Sequence, residues 1–145
     1  MAWQDRIASA LLPMLLSACG PDAPPPRPPA DAAFPARLAA ADPANGARLF
    51  RRCAACHRID AGGTDTDGPN LNGVVNAPIA QRRPRFAYTA ALASVGGNWT
   101  PERLDRWLTS PRTFAPGTSM AFAGLPDPQD RADVIGYLQA NSAKH

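Results

Sequence analysis

From residue 39 onward, apolar positions recur at helical spacing in short bursts, separated by long stretches rich in glycine, proline and polar residues. Asp42-Pro43 offers an N-cap followed by proline at the first helical position, which predicts a helix carrying Ala47, Phe50 and Cys53. Residues 60–85 keep neither the helical nor the strand period. They predict a long ordered loop, which a small domain sustains when something non-peptidic organises it. Residues 88–94 predict a helical turn stopped by Gly96-Gly97. Thr100-Pro101-Glu102 opens a helix with Leu104, Trp107 and Leu108 at i, i+3 and i+4, closed before Ser110-Pro111. Residues 111–128 read as loop, with a turn at Pro116-Gly117. Asp127-Pro128 then caps a last helix whose buried stripe is Val134, Ile135 and Leu138, with Tyr137 adjoining. The expected fold is all-α: three to five short helices and long loops, with no strand pairs to close a sheet and no internal repeat.

Upstream of 39 the pattern changes twice. Residues 7–16 form an apolar run of the length of a signal-peptide core, too short to span a bilayer, after a weakly positive start at Arg6. The run ends in Leu16-Ser17-Ala18-Cys19, which resembles the lipobox of bacterial lipoproteins, where the cysteine is acylated and becomes the first residue. Several acyl chains hold a protein firmly where one holds it marginally. Residues 21–35 hold seven prolines and favour extended, solvated conformations spanning up to about 45 Å. The expected plan is therefore a signal segment at 1–18, a Pro-rich tether at 19–38 from a lipidated Cys19, and one domain at 39–145.

Composition narrows this further. The apolar inventory is thin for so much loop, and small domains short of core usually add disulfides, a metal or a large cofactor. Three cysteines, Cys19, Cys53 and Cys56, exclude a fully paired disulfide framework. The net charge of +3 is mild, with no Lys/Arg tract of the kind that wraps nucleic acid.

Cys53-Ala54-Ala55-Cys56-His57 supplies the missing piece. C-x-x-C-H is the attachment sequence for c-type haem. One turn places two thiols to add to the two vinyl groups of a porphyrin, and the adjacent His57 presents its imidazole to the iron. A thioredoxin-like dithiol would need flanking strands, and a zinc site would need a fourth ligand where only His145 and scattered carboxylates remain. The cofactor expected is one covalent haem c with its iron. For the other axial position the chain offers Met1, Met14, Met120 and His145. Cleavage before Cys19 removes the first two, and the turn Pro116-Gly117-Thr118-Ser119-Met120 presents Met120 as the expected ligand. His145, at the end of the sequence, would first have to be pinned down by the fold.

At this point the chain resembles class I cytochrome c, close to its mitochondrial-type branch, over residues 45–141. The matches are Gly46 and Phe50, the C-x-x-C-H turn, Gly68-Pro69-Asn70-Leu71-Asn72-Gly73, Phe86-Ala87-Tyr88-Thr89, Trp99, and Leu104 with Trp107-Leu108 and Pro111. They continue through Pro116 to Gly124 and Arg131 to Leu138. The resemblance implies that the Pro69 carbonyl accepts from the histidine Nδ1–H, and that Tyr88, Trp99 and Thr118 hydrogen-bond haem propionates. It also implies that Gly46 and Phe50 lie where the first helix crosses the last near Tyr137. Departures are equally specific. Trp107 replaces a tyrosine near the methionine sulfur, and Leu92 replaces an asparagine. Pro78 stands where the family has a propionate-pairing arginine, leaving Arg82 or Arg83 as candidates. Arg112, Thr113 and Ser119 stand at partner-docking lysine positions.

With both axial positions filled, no substrate binds iron, so the expected function is non-enzymatic. It is a monomeric periplasmic electron carrier, membrane-anchored through Cys19. A donor such as a cytochrome bc1-type complex and an acceptor such as a terminal oxidase or reductase are the implied partners. The alternatives are a haem subunit of a larger periplasmic oxidoreductase, or a haem enzyme or sensor with a labile Met120.

Overall fold

The computed structural model describes residues 26–142, arranged as six helices: α1 (Phe34–Ala39), α2 (Pro43–Phe50), α3 (Ala90–Ala93), α4 (Pro101–Thr109), α5 (Pro111–Phe114) and α6 (Pro128–Ser142). The signal segment, Cys19, Met1, Met14 and His145 lie outside the described residues. Among the described residues the strand content is one isolated bridge between Pro78 and Asn98, and no helix is long and apolar enough to cross a membrane.

Helix starts follow the capping residues. The Asp42 side chain accepts from Ala44 N at 2.9 Å, and Thr89, Thr100 and Ser110 each accept from a backbone N–H three residues on. Asp127 accepts from both Gln129 N and Asp130 N, at 2.8 and 3.1 Å. The anticipated helices at 43, 101 and 128 start at those residues. Cys53 falls just past α2, in turns that continue its hydrogen bonding, with Cys53 N and Ala54 N both donating to Phe50 O.

Two helices differ from expectation, and they take the count to six. α5 forms within the stretch read as loop, where Ser110 caps a single turn too short to carry a period. α1 forms within the stretch 19–38 read as tether. It has no side-chain cap and is held from outside. Phe34 and Leu38 pack against the core, and the Arg37 guanidinium lies 5.3 Å from the Phe34 ring centre.

Arg37 is only 7% exposed. It donates to Pro128 O at 2.5 Å and Ala32 O at 3.1 Å and pairs with Asp105 at 3.4 Å. Asp105 is shared with Arg131, whose Nε lies 2.8 Å away and whose Nη1 also donates to Leu125 O and Pro126 O. A buried charge persists only when paired and hydrogen-bonded, and each of these is. Gln129 Nε2 completes the clamp by donating to Arg37 O and Ala40 O, and Arg27 pairs with Asp127 and Asp130. Residues 27–41 are thus a strap along the start of α6.

The main helix packing is α2 on α6, with α4 and α1 also against α6. Asp133 is buried at this junction and accepts from Asp42 N, Asn45 Nδ2 and Gln129 Nε2 at 2.7–3.0 Å. Phe50 meets Tyr137 at 5.3 Å between ring centres. Ile79, Leu104, Leu108, Val134, Ile135 and Leu138 form much of the buried core, beside a cavity rather than around a solid centre.

Candidate functional site

That cavity measures about 340 Å³. Its walls are mostly apolar, from Phe50, Leu71, Val74, Leu104, Leu108 and Leu138. Every predicted site residue among the described residues lines it: Cys53, Cys56, His57, Pro69, Tyr88, Trp99, Trp107, Thr118 and Met120.

The turn after α2 sets the first three. Cys56 N and His57 N both donate to Cys53 O, at 3.0 and 2.9 Å, so one turn carries both thiols and the imidazole. The two cysteines form no disulfide with each other; Cys56 is exposed and Cys53 half-buried, where burial pushes its thiol up from the usual value. His57 Nδ1 lies 2.7 Å from Pro69 O. A carbonyl only accepts, so Nδ1 carries the proton and Nε2 keeps its lone pair. Burial holds the imidazole below its ordinary value against the opposing Pro69 bond, which favours the neutral, ligating form.

The loop behind His57 is built to bring Pro69 that close. Gly68 N donates to Cys56 O at 2.7 Å, and Leu71 N to Arg58 O at 2.8 Å. A Cβ at Gly68 would fall 2.6 Å from His57 Nδ1, so the chain passes the ring face only because residue 68 is glycine. Asn70 and Asn72 are buried and brace the loop. Asn70 Nδ2 donates to Asp60 O, and Asn72 Nδ2 to Ile59 O and to Asn141 O on α6. Their individual bracing roles went unread in the sequence, where two asparagines in a polar loop look like surface.

On the methionine side, Thr118 N donates to Ala115 O at 3.0 Å and Met120 N to Thr118 Oγ1 at 3.3 Å, a turn that delivers Met120 to the cavity. Leu125 N returns the chain to Leu108 O on α4. Trp99 and Trp107 are buried with ring centres 5.4 Å apart, and Phe114 packs on both at 5.7 Å. α5, missed from sequence, thereby supports two site residues. Arg52 lies over the Phe122 ring at 5.6 Å, a contact between the cysteine turn and the methionine loop that sequence reading also missed. Leu92 and Pro78 line the cavity, as do Arg82 and Asp67; Arg83 does not.

Among the described residues no group of three or more His, Cys, Asp or Glu could hold a bare metal ion. What the cavity offers is suited to a flat apolar group with its own metal. It has two thiols on one turn, a neutral imidazole with a free Nε2, a thioether, and polar side chains among apolar walls. These residues fit covalent haem c.

The cytochrome c family model matches residues 43–142. A cytochrome c homolog of Bradyrhizobium diazoefficiens is 43% identical over 97 residues, covering 67% of this chain and 53% of that protein. A cytochrome c-type cyt cy of Rhodobacter capsulatus is 45% identical over 104 residues, covering 72% and 51%. The chain thus spans about half the length of these two relatives. The structure resembles cytochrome cH from Methylobacterium extorquens with a TM-score of 0.63 and 37% identity, over 68% of this chain and 98% of that one. The cysteine turn, the carbonyl-locked histidine and the methionine loop around one cavity, together with this match, show that the chain belongs to the class I cytochrome c family, which binds haem c covalently.

Proposed function

We propose that this chain is an electron carrier in which Cys53 and Cys56 hold a single haem c by thioether bonds and His57 and Met120 are the axial ligands. The observation that carries this reading is His57: its Nδ1 is committed to Pro69 O at 2.7 Å, and its free Nε2 belongs to a ring that lines the cavity Met120 enters. Bound there, haem c supplies a one-electron iron couple, and a methionine ligand favours Fe(II) relative to a second histidine.

The chain's own residues do the rest. Pro69 fixes the tautomer and orientation of His57 and raises its basicity. The apolar walls exclude water and favour the less charged state of the cofactor. Tyr88, Trp99 and Thr118 offer donors for carboxylates of the cofactor, and the Trp107 indole N–H takes the place of a hydroxyl near the thioether. Phe114 packing holds both indoles in place.

We further propose that the protein works on the periplasmic side, anchored through an acylated Cys19. It would accept an electron from a donor such as a cytochrome bc1-type complex and pass it to a terminal oxidase or reductase. Brief contact through a small interface suits that exchange. Mass spectrometry of the native protein tests the haem, cleavage before Cys19 and acylation together. Carbon monoxide titration of the reduced protein tests the closed iron. No prompt binding at neutral pH is expected, and prompt stoichiometric binding would replace the carrier reading with the enzyme or sensor one.

A further inference from the structure

Haem brings two carboxylates into any site that holds it. A carboxylate enclosed by apolar walls stays ionised only beside a cation or several donors. The segment 82–85 holds three arginines, of which one lines the cavity, and they are not equivalent.

Arg83 is committed: its Nε donates to Asp65 Oδ1 at 2.7 Å and its Nη2 to Gly63 O at 3.1 Å. Arg85 is exposed and does not line the cavity. Arg82 is partly buried, lines the cavity, and forms no ion pair among the described residues. Its guanidinium lies against Gly73, where a Cβ would fall 2.8 Å from Nη2 and 3.2 Å from Nε. Gly73 has φ +68°, so the backbone there favours glycine twice over. Burial and the neighbouring Arg83 charge make the Arg82 cation less comfortable, while Asp65 relieves it only through longer-range attraction. Asp67 and Arg52 also line the cavity but are exposed, and Arg52 is engaged with Phe122.

We propose that Arg82, resting on Gly73 beside Tyr88, is the side chain that pairs with a carboxylate of the bound haem. This rests on the haem reading of the same cavity. A guanidinium offers a planar fork matched to a carboxylate, which a lysine would not.

The test uses the full haem-loaded chain with Arg82→Gln, Arg82→Lys and Arg83→Gln, and reads midpoint potential by voltammetry from about pH 5 to 9. The wild type is expected to give a flat profile through neutrality. Arg82→Gln is expected to move the iron equilibrium toward Fe(III) by about tenfold, 59 mV for one electron. It should also introduce a fall in potential with rising pH as the unpaired carboxylate titrates. Arg82→Lys, which keeps the charge and disturbs folding least, is expected to shift the equilibrium in the same direction by about twofold. Arg83→Gln should keep the flat profile. An Arg82→Gln protein with wild-type potential and profile overturns the proposal, as does an Arg83→Gln protein that reproduces the effect. If Arg82→Gln does not accumulate, an unshifted Arg82→Lys overturns it. A wild-type chain without haem mass overturns the haem reading as well, and is read separately in the mass spectrum.

Discussion

Gly46 of α2 rests on the backbone of Asp133 in α6 so closely that a Cβ at 46 would fall on the Asp133 carbonyl and 2.8 Å from Tyr137 Cβ. The helices meet there without an intervening side chain. Gly46→Ala must therefore part them, and overpacking of this kind costs about 1–3 kcal/mol. Thermal unfolding is expected to shift down by about 4–8 °C per kcal/mol in a domain of this size. An unchanged midpoint would mean the crossing is looser than it looks.

Gly68 makes the same kind of approach to the His57 ring, and its replacement should be felt in chemistry more than in stability. Gly68→Ala is expected to push the ring from Pro69 and weaken the bond that makes the imidazole a strong donor. A weaker axial donor favours Fe(II), so the midpoint potential should rise. Haem mass should stay the same, because the proposed thioether bonds do not depend on His57.

Asp65 gives a pH signature. Burial pushes its carboxyl up, but the Asn70 N–H and the Arg83 guanidinium, with Arg85 further off, hold it below the usual value of 3.8. A folded value below the unfolded one contributes stability above the unfolded value and loses it as pH falls through the folded one. The stability advantage of wild type over Asp65→Asn should therefore be constant between about pH 5 and 8 and vanish below the usual carboxylate range. Urea unfolding at stepped pH measures it; an advantage that grows toward acid would reverse the sign assigned.

Much of the site was legible because its signals are local. The C-x-x-C-H turn, the capping residues Asp42, Thr100 and Asp127, and the Pro-Gly turn before Met120 each act within a few residues of themselves. α1 was not legible, for a physical reason. It lacks a side-chain cap, its apolar pair Phe34 and Leu38 is too short a run to show a period, and much of its hold comes from Asp105, Pro128 and Gln129, which are far away in sequence. A buried arginine reads as surface until its partners are known. Arg82 and Arg83 are likewise adjacent and chemically identical, and only the fold separates them, setting Arg83 on Asp65 and Arg82 at the cavity wall.

Arg37→Ala tests the strap directly. Asp105 keeps Arg131, so the loss should stay at about 1–3 kcal/mol rather than the larger cost of a stranded buried charge. Limited proteolysis is expected to begin cutting between residues 27 and 42 while the chain from Pro43 onward resists. Equal resistance in wild type and variant would show that Arg37 is not what fastens the segment.

The strap also changes how far the domain could range. Arg27 pairs with Asp127 and Asp130 at the start of α6, so with an acylated Cys19 and that pair formed, eight residue steps separate lipid from domain. At ~3.1 Å per residue that is about 25 Å rather than the 45 Å of a free proline tether. Swept volume goes as the cube of reach, so the accessible space shrinks roughly sixfold and the local concentration of haem facing a membrane-bound partner rises in proportion. A segment that looks like slack in the sequence would then serve to keep the carrier near the membrane surface.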